Sequence, residues 1–122
     1  MLILASQSNT RKTLLAQAGL VFSAQPADID ERGIETQALA HGADARDVAL
    51  VLAQKKAEAV SSLHQGAFVM GADQTLALGT ELLHKPADRA AAAAPLDHLR
   101  GKTHRLHVGV ALVQNGVALW SD

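Results

Sequence analysis

The chain has 122 residues, 48% of them hydrophobic, no cysteine, and 11 basic against 12 acidic side chains for a formal net charge of -1. That length and apolar content suit one globular domain with a real core, and the lack of cysteine excludes disulfides, thiolate zinc sites and a cysteine nucleophile. The balanced charge argues against a general polyanion-binding surface, and aromatics at 2% are too few for a stacking platform.

In chain order, Leu2-Ile3-Leu4-Ala5 reads as a short buried strand. Its apolar run is short and precedes the basic residues, the reverse of a secretory signal, and no segment reaches the length of a membrane span. A soluble, cytoplasmic chain with neither a nucleic-acid polymer nor a membrane as partner is expected. Ser6 to Asn9 supplies turn and cap chemistry before a helix from about Thr10 to Ala18, which Gly19 stops. Val21 to Ala24 reads as a second strand, followed by an acidic loop around Pro26, Asp28, Asp30 and Glu31. A short helix is expected from Ile34 to His41, and Asp44 caps a longer one running to about Leu63.

Ala67 to Met70 has the apolar run of a central strand, and Thr75 to Leu78 with Glu81 to Leu83 flank Gly79-Thr80 as a hairpin. Asp88 to Leu99 is helical in composition, with Pro95 interrupting it. Arg105 to Val113 and Val117 to Trp120 are strands on either side of Asn115-Gly116. The expected order, β-α-β-α-α-β-β-β-α-β-β, is an α/β domain with a mixed, twisted sheet flanked by helices.

Four places carry chemistry. At the first, Ser6, Ser8 and Arg11 surround the start of a helix, where free N–H groups, hydroxyls and a guanidinium make an anion site; the same Ser and Asn residues also cap ordinary helices. Second, Lys56 falls on an otherwise apolar helical stripe with Ala49, Leu52, Ala53 and Val60. A lysine there either runs its stem out to water or points into a cleft that needs charge. Lys55 lies off the stripe and is expected in solvent.

The third place is Asp73, after Phe68-Val69-Met70-Gly71-Ala72, at what reads as the carboxyl end of a buried strand, where α/β sheets place ligands. A carboxylate there holds a metal, acts as a base, or simply caps a turn. The fourth is Lys85-Pro86, a lysine beside a fixed backbone. The six histidines form no H-x-x-x-H pair on a helix, so surface or structural roles are expected for them.

Taken in order, these pieces resemble the Maf family of nucleotide pyrophosphatases. Its L-A-S-x-S-x-x-R motif corresponds to Leu4-Ala5-Ser6-Gln7-Ser8-Asn9-Thr10-Arg11, with Asn9-Thr10 in place of the usual Pro-Arg. Asp30-Glu31, Leu52 to Ala57, Gly71-Ala72-Asp73-Gln74, Lys85-Pro86 and Gly101-Lys102-Thr103-His104 match further elements. The resemblance implies an inosine triphosphatase-like architecture and hydrolysis of a nucleoside triphosphate to monophosphate and pyrophosphate.

It further implies a divalent cation, Mg or Mn, on Glu31 and Asp73, with Asp73 and Glu31 catalytic. Ser6, Ser8, Arg11, Lys56, Gln74 and Lys85 are then the substrate-binding residues. Gln74 is similar to the branch associated with 7-methyl-GTP and Ala72 to the branch associated with dTTP and UTP, which leaves the base unassigned, with a modified or non-standard nucleotide expected. Family members continue beyond Asn115-Gly116. Residues 1–122 are therefore expected to form a single domain lacking its C-terminal part, with an exposed sheet edge that favours a homodimer. The alternative is a truncated, catalytically weak nucleotide-binding protein or one that regulates division.

Overall fold

The computed structural model describes residues 1–78, 81–83 and 105–122. Its elements are β1 (Leu2–Leu4), α1 (Asn9–Gln17), β2 (Ser23–Ala24), α2 (Glu31–Ala40), α3 (Ala45–Ser61), β3 (Phe68–Leu78), β4 (Glu81–Leu83), β5 (Arg105–Gln114) and β6 (Val117–Ser121). They form an α/β protein with a mixed sheet in the order β2-β1-β3-β5-β6, with β4 also paired to β3. β1 runs parallel to β2 and β3, and the remaining pairs are antiparallel.

Most expected elements are present, with shifted bounds. β2 is only two residues long, and Val21, expected in it, is 93% exposed. α2 begins at Glu31 rather than Ile34, because the Asp30 carboxylate accepts from the Gly33 amide at 3.1 Å and caps the helix there. Glu31 thus stands in a first helical turn, not in a loop. α3 starts as expected, with a reciprocal capping box between Asp44 and Asp47. The Asp47 backbone hydrogen bond lowers the Asp44 carboxyl below its ordinary pKa. The expected helix from Asp88 to Leu99 lies outside the described residues.

The larger correction concerns β3. The two strands expected at Ala67 to Met70 and Thr75 to Leu78 are one continuous strand through Gly71-Ala72-Asp73-Gln74. Unbroken pairing with β5 from Phe68 to Ala77 carries the strand through this weakly β-forming stretch. The opposite edge of β3 is shared. β1 pairs there as far as Met70 and β4 only from Leu76 onward. Between them, residues 71–75 have no strand partner on that edge among the described residues.

Helix α3 packs across β3 and β5, and α2 packs on α3. The approach is close enough to dictate glycine. A Cβ on Gly71 lies 2.0 Å from the Ala53 carbonyl oxygen, and one on Gly109 lies 2.5 Å from Ala49 backbone atoms. The core beneath is built from small and β-branched side chains, including Ile3, Ala5, Ala57, Val60, Val69 and Val113. Thr75 Oγ1 donates to the Ala45 carbonyl at 2.7 Å and the Gly116 amide donates to Ser61 Oγ at 2.9 Å, tying the sheet to both ends of α3. Asn115 (φ 52°) and Gly116 (φ 76°) make the tight turn that joins β5 to β6.

Candidate active site

Lysine 56 occupies the stripe of α3 that faces the sheet, with Ala49, Leu52, Ala53 and Val60 buried around it. Its stem is covered, and its ammonium does not run out to water. Nζ lies 2.8 Å from Glu31 Oε1 and 3.4 Å from Asp73 Oδ1. The Lys56 and Asp73 side chains are each only 15% exposed, whereas Glu31 is 54% exposed. Each residue reaches this point for a different reason. The packing of α2 on α3 brings Glu31, and the packing of α3 on β3 brings Asp73. Lys55, one residue away, is 53% exposed and pairs with Glu58, as its place off the stripe implies.

Asp73 therefore sits mid-strand, not at a strand end. It lies three residues past the Leu4↔Met70 pair, beyond the carboxyl end of neighbouring β1, at the open stretch between β1 and β4. Small Gly71 and Ala72, read as room for a ligand, answer a different need at Gly71, where the α3 backbone fills the space.

The chain leaving β1 builds a second cluster. Ser6 is nearly buried, at 7% exposure, and its Oγ accepts from the Ser8 amide at 3.0 Å and from Arg11 Nη1 at 3.3 Å. Ser8 caps α1 by accepting from the Arg11 amide at 3.3 Å. Two donors fill the acceptor positions of Ser6 Oγ, so its hydroxyl hydrogen remains for an outside acceptor. Together with the amides at the very start of α1, this makes a donor-rich cluster of the kind that can meet phosphate oxygens. The two clusters share no hydrogen bond or ion pair among the described residues.

Two further sequence candidates stand apart. Gln74 follows Asp73 in an extended strand, so it faces the opposite side of the sheet, and it is exposed. Lys85, like Gly101 to His104, lies outside the described residues. Sequence reasoning missed the direct link between Arg11 and Ser6. The five-residue spacing across a helix start was the available signal.

Two carboxylates meeting at one cation are hard oxygen donors of the kind that Mg²⁺ and Mn²⁺ take. Among the described residues no group of three His, Cys, Asp or Glu side chains is placed to hold a metal. The pair fits such an ion only as part of a shell completed by oxygens from elsewhere, such as phosphate and water.

This α/β protein holds a lysine between two carboxylates from α2 and β3, and a serine–arginine cluster at the start of α1. The chain belongs to the Maf-like protein family, whose model matches residues 1–121. It is 57% identical over 122 residues to a nucleoside triphosphate pyrophosphatase of Rhodopseudomonas palustris, covering 99% of this chain and 59% of that protein. A protein of the same name from Bradyrhizobium diazoefficiens is 54% identical over 121 residues, 99% of this chain and 59% of its own. A 7-methyl-GTP pyrophosphatase of Brucella abortus is 49% identical over 119 residues, 98% of this chain and 60% of that protein. The chain thus spans about 59% of the length of the first of these relatives.

Proposed function

We propose that residues 1–122 are one Maf-like domain that hydrolyses nucleoside triphosphates between the α and β phosphates, releasing monophosphate and pyrophosphate. The observation that carries this reading is the convergence of Glu31 and Asp73 on Lys56 at the open edge of β3. Asp73 orients the attacking water and takes its proton. Lys56 and Arg11 neutralise the triphosphate and the charge that develops on departing pyrophosphate. Ser6 and Ser8 hold phosphate oxygens with their hydroxyl hydrogens, and Lys85 is the remaining proposed substrate contact; Gln74, on the other face of the sheet, is not assigned one. Glu31 and Asp73 are the proposed ligands of a divalent cation, Mg or Mn, which supplies charge neutralisation when bound.

The substrate class is nucleoside triphosphates including modified ones, in keeping with the names of the relatives. A cytoplasmic location, where such nucleotides are held, goes with this reading. Among the described residues no helix is long and apolar enough to cross a membrane. A second copy of the chain is the proposed partner of the sheet face opposite α3, where Phe68, Leu106, Val108, Val117 and Trp120 are exposed together.

The test is product analysis with the purified chain, Mg²⁺ or Mn²⁺, and a panel of standard and 7-methylated triphosphates. Pyrophosphate and monophosphate in equal amounts are expected. Diphosphate and inorganic phosphate as products contradict the assigned reaction, and bound triphosphate without turnover favours a nucleotide-binding role.

A further inference from the structure

The two carboxylates of the proposed site already share a cation. Lys56 lies on both, closest to Glu31 at 2.8 Å and then Asp73 at 3.4 Å. Counting formal charges, one ammonium against two carboxylates leaves the cluster at a single negative charge, a poor attractor for a divalent ion. The Lys56 side chain is only 15% exposed, so water offers its ammonium little compensation for leaving its partners. A triphosphate does offer compensation, because its oxygens accept from an ammonium as carboxylates do and carry more charge.

We propose that Lys56 is the resident counter-ion of the Glu31–Asp73 pair, holding it closed to divalent metal until a triphosphate draws the ammonium away. Once Lys56 turns to phosphate, two carboxylates are left without a cation, and phosphate oxygens stand near to fill out the coordination that these two residues cannot supply alone. Metal and triphosphate then bind with positive coupling, each favouring the other by the same factor. The outer partner, Glu31, is half in solvent and exchanges first. Asp73, nearly covered, is the last to lose its lysine.

This inference rests on the functional reading above, but its test reads metal binding without turnover. Free Mn²⁺ is titrated by electron paramagnetic resonance into the 122-residue chain without nucleotide, comparing the parent with Lys56→Met, Lys56→Gln and the exposed-neighbour control Lys55→Met. Both Lys56 variants are expected to bind Mn²⁺ more tightly by on the order of tenfold, within the range usual for coupled sites. Lys55→Met removes the same charge one residue away and is expected to change little.

The unsubstituted protein provides a check that needs no folded variant. In ¹⁵N-lysine spectra, Mg²⁺ alone is expected to leave the Lys56 ammonium signal in place at concentrations where Mg²⁺ with inorganic triphosphate shifts it. Mn²⁺ affinity unchanged in the Lys56 variants, an equal gain in Lys55→Met, or displacement by Mg²⁺ alone overturns the proposal. Because pyrophosphate release is assayed separately, a chain that shows the metal effect without turnover separates this inference from the assigned reaction.

Discussion

Lysine 56 carries more of the site than any other side chain, and its role follows from position. A cation on an apolar helical stripe runs to water or finds a partner for its charge, and Lys56 is paired with Glu31 and Asp73 rather than released to water. Its partners were less legible. Glu31 and Asp73 come from two other elements, and no local pattern ties either to Lys56. Gln74 shows the reverse difficulty. Adjacent to Asp73 in sequence, it lies on the other face of the sheet, which is evident only once β3 is known to continue through it. Lys56→Ala is expected to weaken triphosphate binding by on the order of tenfold while leaving nucleoside binding nearly unchanged. Calorimetric titration with both ligands checks it, and equal losses for the two would remove Lys56 from phosphate recognition.

At the scale of elements, capping and turn chemistry were readable because they are local. Asp44 before α3, Ser8 before α1 and Asn115-Gly116 between β5 and β6 all perform the roles that their sequence context implies. What could not be read was β3. Gly71, Ala72 and Asp73 are weak strand formers, and only the long pairing with β5 makes them strand. Likewise Asp30, not a later residue, caps α2 and lifts Glu31 into its first turn. Gly71 also reports how tightly α3 lies on the sheet. Replacing it by alanine sets a methyl group against the Ala53 carbonyl, which the helix backbone cannot yield cheaply. Gly71→Ala is expected to lower stability by about 3 kcal/mol, read from urea denaturation. A loss indistinguishable from zero would mean that α3 and β3 are less closely packed than described.

For the whole molecule, the β1–β3 and β3–β4 pairings share one edge of β3 and, among the described residues, leave positions 71–75 unpaired on that edge, with Asp73 in the middle of them. The same sheet shows an apolar face opposite α3, with Trp120 and Val108 about half exposed and β6 exposed along its length. Apolar residues at such positions were visible in the sequence, but which face they share depends on register and was not. Self-association is the expected outcome. Sedimentation velocity at micromolar concentrations should find a dimer that Val108→Glu returns to monomer with its circular dichroism unchanged, and a parent chain that remains monomeric throughout would refute the proposed partner.

The most direct test of the central claim compares pyrophosphate release by the parent chain and by Asp73→Asn with the preferred triphosphate and Mn²⁺, with triphosphate binding measured in parallel. Turnover is expected to fall by roughly 10²-fold or more in the variant, the scale on which a positioned general base acts, with binding largely retained. Turnover in Asp73→Asn equal to that of the parent contradicts the claim that this cluster performs the hydrolysis.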